Sequence, residues 1–162
     1  MIIVSNTSPL IGLASIRQFD LLRRMFQHIV IPQAVYRESV TEGHEMGGAK
    51  RAVMEAVWVE TRTVTDRAAV TTLLERLDEG EAETIVLARE MHADWVVMDE
   101  RKGRKIVTEW GLNKIGTLGI LLKAKQLGLL SSIRPEIELL CQEGFTVSQD
   151  VVDAVLRHAG EL

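Results

Sequence analysis

The chain has 162 residues, 46% apolar and 26% charged, which suits a single domain with a sizeable core. With 23 acids against 19 lysines and arginines the net charge is −4, which argues against coating nucleic acid through bulk positive charge but leaves room for a nuclease with a local basic patch. The one cysteine, Cys141 in the apolar pattern IELLCQEG, excludes a disulfide framework and reads as a small buried thiol, with a reducing cytoplasm as the expected setting.

Residues 1–4 are a short apolar run, as expected of a central parallel strand. The run is broken at once by Ser5, Asn6, Thr7 and Ser8, so it reads as a strand and not as a signal peptide. Ser8 and Pro9 then predict a helix start, and a short second helix is expected over 19–26. Residues 28–31 are extended and stop at Pro32, which opens a helix carrying Val35, Tyr36 and Glu38. The stretch TEGHEMGG, 41–48, has no apolar period and predicts a mobile loop, with His44 as a candidate flap residue. Helix resumes over 49–56, and 57–60 reads as the second strand. Helices follow over 66–77 and 78–92, then a third strand at 95–98, a helix over 100–110 ended by Gly111, and a short fourth strand at 113–115. Three helices close the chain: 117–126, 135–143 and 148–159. Alternating strands and helices predict a parallel sheet covered on both faces, with the helices from about 117 packed on the same core as part of one unit, 1–162. No apolar run reaches membrane-spanning length.

Four oxygen-bearing side chains, Asn6, Glu38, Glu81 and Asp99, each lie beside a strand or helix boundary. In an open α/β sheet, ligands bind at the carboxyl ends of the strands, where Asn6 and Asp99 both fall. Such a set suits a hard cation such as Mg²⁺ and phosphodiester chemistry. Each acid also has an ordinary explanation. Asp99 can cap the next helix, Glu81 shares a helix start with Asp78, Glu79 and Glu83, and Glu38 alone would be a solvated helix residue. Beside Asp99, the string ERKGRK crowds Arg101, Lys102, Arg104 and Lys105 at a helix start, where positive charge is unfavourable unless a phosphate chain lies across it.

The strings VSNTSPLIGLA, VIPQAVYRE, LDEGEAETIVLA, VVMDERKGRK and IGTLGILLKAKQLGLL, closed by GFTVSQDVVDAVLRHAGE, resemble a prokaryotic subfamily of PIN-like domains along nearly the whole chain. The resemblance implies a three-layer α/β/α fold with a parallel sheet of about four strands and added C-terminal helices. It implies three or four acids binding Mg²⁺ or Mn²⁺ and cleavage of RNA, often as the toxin of a VapC-type toxin–antitoxin pair with a small antitoxin partner. Carried over residue by residue, Glu38, Glu81 and Asp99 take the catalytic acid positions. Asn6 stands where the family's first aspartate usually stands, Thr7 and Ser8 match the supporting hydroxyls, and Glu100 matches an auxiliary acid. Arg101, Lys102 and Arg104 would hold the nucleic-acid backbone. An amide at position 6 can still coordinate a cation, but with one charge fewer. The competing reading is a catalytically weak or inactive PIN-like module that binds RNA or a protein partner. Residues 118–122 and the C-terminal helices offer a surface for a homodimer or an antitoxin, a pattern that core packing explains equally well. A nucleotide-binding domain fits less well, because no glycine-rich phosphate loop follows the first strand, and the four histidines show no zinc-ligand spacing.

Overall fold

The computed structural model describes residues 1–43 and 48–162, so half of the expected 41–48 loop, His44 included, lies outside the described residues. Strands β1 (Ile3–Ser5), β2 (Ile29–Pro32), β3 (Val59–Arg62), β4 (Trp95–Val97) and β5 (Lys114–Ile115) form one sheet in the order β3-β2-β1-β4-β5. Every pairing is parallel, with Val4 opposite both Val30 and Val96, and Val97 opposite Ile115. Five strands replace the expected four, because the extended stretch before Pro32 pairs on both sides. Pro32 can end it without penalty, since a strand's last residue need not donate a ladder bond.

Alternation along the strands sorts the core into two layers. Ile3, Ile29, Ile31 and Val97 point into one cluster, and Val4, Val30 and Val96 into the other. The edge strands are short and carry Glu60, Arg62 and Lys114, charges that discourage pairing with another chain.

The helices are α1 (Thr7–Ser15), α2 (Asp20–Phe26), α3 (Gln33–Tyr36), α4 (Ala49–Glu55), α5 (Arg67–Leu73), α6 (Glu79–Glu90), α7 (Arg101–Glu109), α8 (Thr117–Gln126), α9 (Arg134–Gln142) and α10 (Gln149–His158). Helices α1, α2, α8, α9 and α10 contribute to the first cluster and α5, α6 and α7 to the second, which makes the three-layer α/β/α arrangement. Helix α1 starts two residues earlier than a Ser8 cap and a first helical residue at Pro9 suggest, with Asn6 at its N-cap in extended conformation. Cys141 is exposed on α9, contrary to the buried thiol expected. Ile137 and Leu140 are the members of IELLCQEG that face inward.

The chain leaves β1 toward β2 and β3 on one side and returns to β4 on the other. This reversal opens a crevice at the carboxyl ends of β1 and β4, the place where open α/β sheets bind their ligands.

Candidate functional site

Asn6 and Asp99 stand at the two lips of that crevice. Asn6 follows β1 directly, is 4% exposed, and ties the strand ends together by donating its backbone N–H to Val97 O at 2.9 Å. Its side chain makes no capping bond to α1. Asp99 does not cap α7. It anchors the start of α8, one oxygen accepting from the Thr117 N–H at 2.7 Å and the other from Thr117 Oγ1 at 2.6 Å. Burial pushes the Asp99 carboxyl up, against the pull of those two bonds and of the Arg104 charge.

Glu38 reaches the crevice from an unusual backbone. After α3 the chain continues as a π-helical turn, Arg37–Thr41, closed by the Glu42 N–H on Arg37 O at 2.7 Å. Such wide turns are rare and concentrate at functional sites. Glu38 accepts from Thr7 Oγ1 at 3.0 Å, and its carboxylate lies so near Gly80 that a Cβ there would stand 2.0 Å from Glu38 Oε1. Gly80 therefore makes room for the Glu38 carboxylate over the first turn of α6. Burial, followed by repulsion from Asp78 and Glu42, holds Glu38 above the usual carboxylate range.

Glu81 belongs to the same turn. It forms a reciprocal capping box with Asp78, accepting from the Asp78 N–H at 2.9 Å while Asp78 Oδ1 accepts from the Glu81 N–H at 2.8 Å. Burial pushes its carboxyl up to about 7, with the charges of Asp78 and Glu100 adding to the rise. Glu100 in turn caps α7, accepting from the Gly103 N–H at 2.7 Å. That carboxylate covers the helix end where a phosphate was expected, so the basic residues of α7 have to act through their side chains. Arg101 and Lys102 are exposed there, and Arg104 donates to Met98 O at 2.9 Å. Of the two hydroxyl residues after Asn6, Thr7 holds Glu38, while Ser8 is exposed.

The sheet edge thus gathers Asn6, Glu38, Glu81, Asp99 and Glu100 from four separate segments, but each carboxylate is engaged by a nearby donor. Among the described residues no three histidine, cysteine, aspartate or glutamate side chains stand close enough together to hold a metal ion. The donor set fits a hard divalent cation in kind, since every member is an oxygen donor and the charged forms of Glu38, Glu81 and Asp99 are all disfavoured as they stand. A cation would relieve that cost. Glu38 and Glu81 each accept through Oε1 alone, which leaves Oε2 for an ion, whereas both oxygens of Asp99 are already engaged by Thr117.

A family model described as PIN domain matches residues 2–161, nearly the full length of the chain. The chain belongs to the PIN domain family. Searches among curated proteins and among solved structures found no match. Membership makes this a nuclease-like fold of a kind that generally uses divalent metals and binds nucleic acid. No helix among the described residues is long and apolar enough to cross a membrane.

Three further residues of this PIN domain shape the site, and composition did not reveal them. Gly80 leaves room for Glu38, and Thr117 holds Asp99, as described. Buried Glu83 accepts from the Ala34 N–H at 3.0 Å and from Arg67 Nη1 at 2.7 Å, and so fixes the start of α3 and with it the turn that carries Glu38. In the sequence Glu83 is one more acid near a helix start. Its role depends on a partner 49 residues away, a separation no local pattern encodes.

Proposed function

We propose that this PIN domain cleaves RNA with the help of a bound Mg²⁺ or Mn²⁺ ion. The observation that carries the reading is the meeting of Asn6 and Asp99 at the strand-order reversal, with Glu38 packed against Gly80 and Glu81 in the same first turn of α6. Asp99 and Glu81 are the principal ligands, Asn6 and Glu38 complete the set, and Glu100 is auxiliary. When bound, the ion lowers the pKa of a water and stabilises charge in an in-line displacement at phosphorus. Thr7 and Thr117 orient Glu38 and Asp99, and Ser8 stands ready beside Asn6 for the solvent or substrate side. Arg101, Lys102 and Arg104 steady the phosphate backbone. The unit acting is the whole of residues 1–162 in the cytoplasm, as a toxin restrained by a small antitoxin or as a homodimer.

A second reading, a module that binds RNA or a protein without cutting, is favoured by two features. The amide of Asn6 leaves the site a charge short, and Glu38, Glu81 and Asp99 each already accept a hydrogen bond. Titrating Mn²⁺ into the wild type and into Asn6→Asp, with RNA cleavage followed in parallel, separates the two. Cleavage by the wild type that Asp99→Asn abolishes supports the nuclease. Metal affinity and cleavage gained only in Asn6→Asp would identify a remnant site.

A further inference from the structure

A groove of about 920 Å³ opens at Asp99 and runs between α7, β5 and α8 on one side and residues 145–155 on the other. Its two sides differ in chemistry. Arg101, Arg104, Lys105 and Lys114 come from α7 and β5, and none of the four has an ion-pair partner among the described residues. Asp99 and Glu109 line the same groove, and the four cations still leave it net positive in a chain of net charge −4. Phe145, Val147 and Val151 give the facing side an apolar surface. A smaller cavity of about 420 Å³, lined by Ser8, Ser15, Glu100 and Glu143, lies across the 144–146 segment. The two share Asp99, Phe145 and Thr146. Phe145 is therefore a half-buried ring standing at the junction of both cavities, next to the acid of the candidate site.

We propose that the larger groove seats unpaired nucleotides flanking the phosphate at Asp99, with the four cations following the phosphates and Phe145 stacking on the base nearest the site. The position of that phosphate rests on the nuclease reading above; the groove's preference for single strands does not. A polymer that alternates anions with flat apolar faces matches a cationic wall opposed to an aromatic and aliphatic one. Only an unstacked base can lay its face on a recessed ring, so a duplex, whose bases are already stacked, is a poorer occupant.

The test is fluorescence anisotropy with a labelled ten-nucleotide single-stranded RNA of mixed sequence, in EDTA so that cleavage plays no part. Binding is expected to weaken with salt. Lys114→Glu, a partly exposed position, should weaken it several-fold and flatten the salt dependence by about one phosphate contact. Phe145→Ala should weaken it by about tenfold, and Phe145→Trp should keep it. Circular dichroism checks that each variant is folded. Unchanged affinity in both Lys114→Glu and Phe145→Ala overturns the proposal. An equal loss in Arg76→Glu, an exposed cation away from the groove, does so as well by reducing the effect to overall charge. So does a duplex, or a peptide rich in glutamate and leucine, that displaces the single strand more effectively than unlabelled RNA. Binding that follows these expectations without any Mn²⁺-dependent cleavage sustains the groove and removes the nuclease; cleavage with binding indifferent to groove variants does the reverse.

Discussion

At the scale of single residues, the site is a set of carboxylates held where their charge is costly. Glu81 is the clearest case, 8% exposed and with a carboxyl pushed up to about 7 by burial and by its acidic neighbours. An acid raised in the folded state takes up protons that the unfolded chain does not, so its contribution is fully present below pH 4.5 and lost as pH rises toward 7. In metal-free buffer, Glu81→Gln should keep the capping box, raise stability at pH 8 by roughly 1–2 kcal/mol, and flatten the fall between pH 5 and 8. Denaturant melts at pH 5 and pH 8 check this, and a variant that loses stability equally at both would contradict it. Gly80 tests geometry apart from stability. In Gly80→Ala the new methyl collides with the end of the flexible Glu38 side chain, while helix propensity improves, so stability should stay within about 1 kcal/mol of wild type. Mn²⁺ affinity, read by calorimetry, should fall several-fold as the Glu38 carboxylate is displaced. The sequence made the positions of these acids legible, because each stands beside a strand or helix boundary. It did not disclose that every one already accepts a hydrogen bond, since those donors depend on three-dimensional neighbours such as Thr7 and Thr117.

At the scale of elements, alternating apolar runs and helical periods announce a parallel sheet, and Pro32 and Gly111 mark ends that the structure keeps. Two things escape this reading. The strand before Pro32 is too short to be told from a connection until its pairing with β1 and β3 is known. The π-helical turn has no residue signature of its own, and it continues directly from α3, which sets the direction in which it carries Glu38. Glu83 fixes that direction from outside the element. Glu83→Ala leaves the Ala34 N–H buried without an acceptor, and should cost about 1–3 kcal/mol. Because Arg67 is about half exposed, its freed charge can turn to water and add little. The expected result is a lowered thermal midpoint together with faster amide exchange in α3 and the following turn; a lowered midpoint with exchange there unchanged would detach Glu83 from the positioning of Glu38.

At the scale of the whole molecule, helices α8, α9 and α10 complete the first layer of the core, and α8 and the 145–155 segment face each other across the groove, so their attachment governs both stability and site shape. Glu161 is the residue that joins them. Its carboxylate accepts from Lys125 Nζ at 2.9 Å, Ser132 Oγ at 2.8 Å, and the backbone N–H groups of Ile133 at 2.8 Å and Arg134 at 3.0 Å, linking the end of α8 to the start of α9 and to the segment after α10. Although burial alone would raise it, these donors hold its carboxyl down at about 2. An acid lowered in this way stabilises the fold above pH 4.5, and the contribution is lost as pH falls through about 2. Glu161→Gln should therefore cost about 2 kcal/mol at pH 7, where the charge-assisted bonds are intact, and progressively less as the solution is acidified. The loss should appear first as faster hydrogen exchange in α10, whose only fully buried side chain is Leu156, before the sheet is affected. If exchange instead rises uniformly across β1, β4 and α10, the C-terminal helices open together with the sheet, and the groove at Asp99 is as stable as the core that carries the acids.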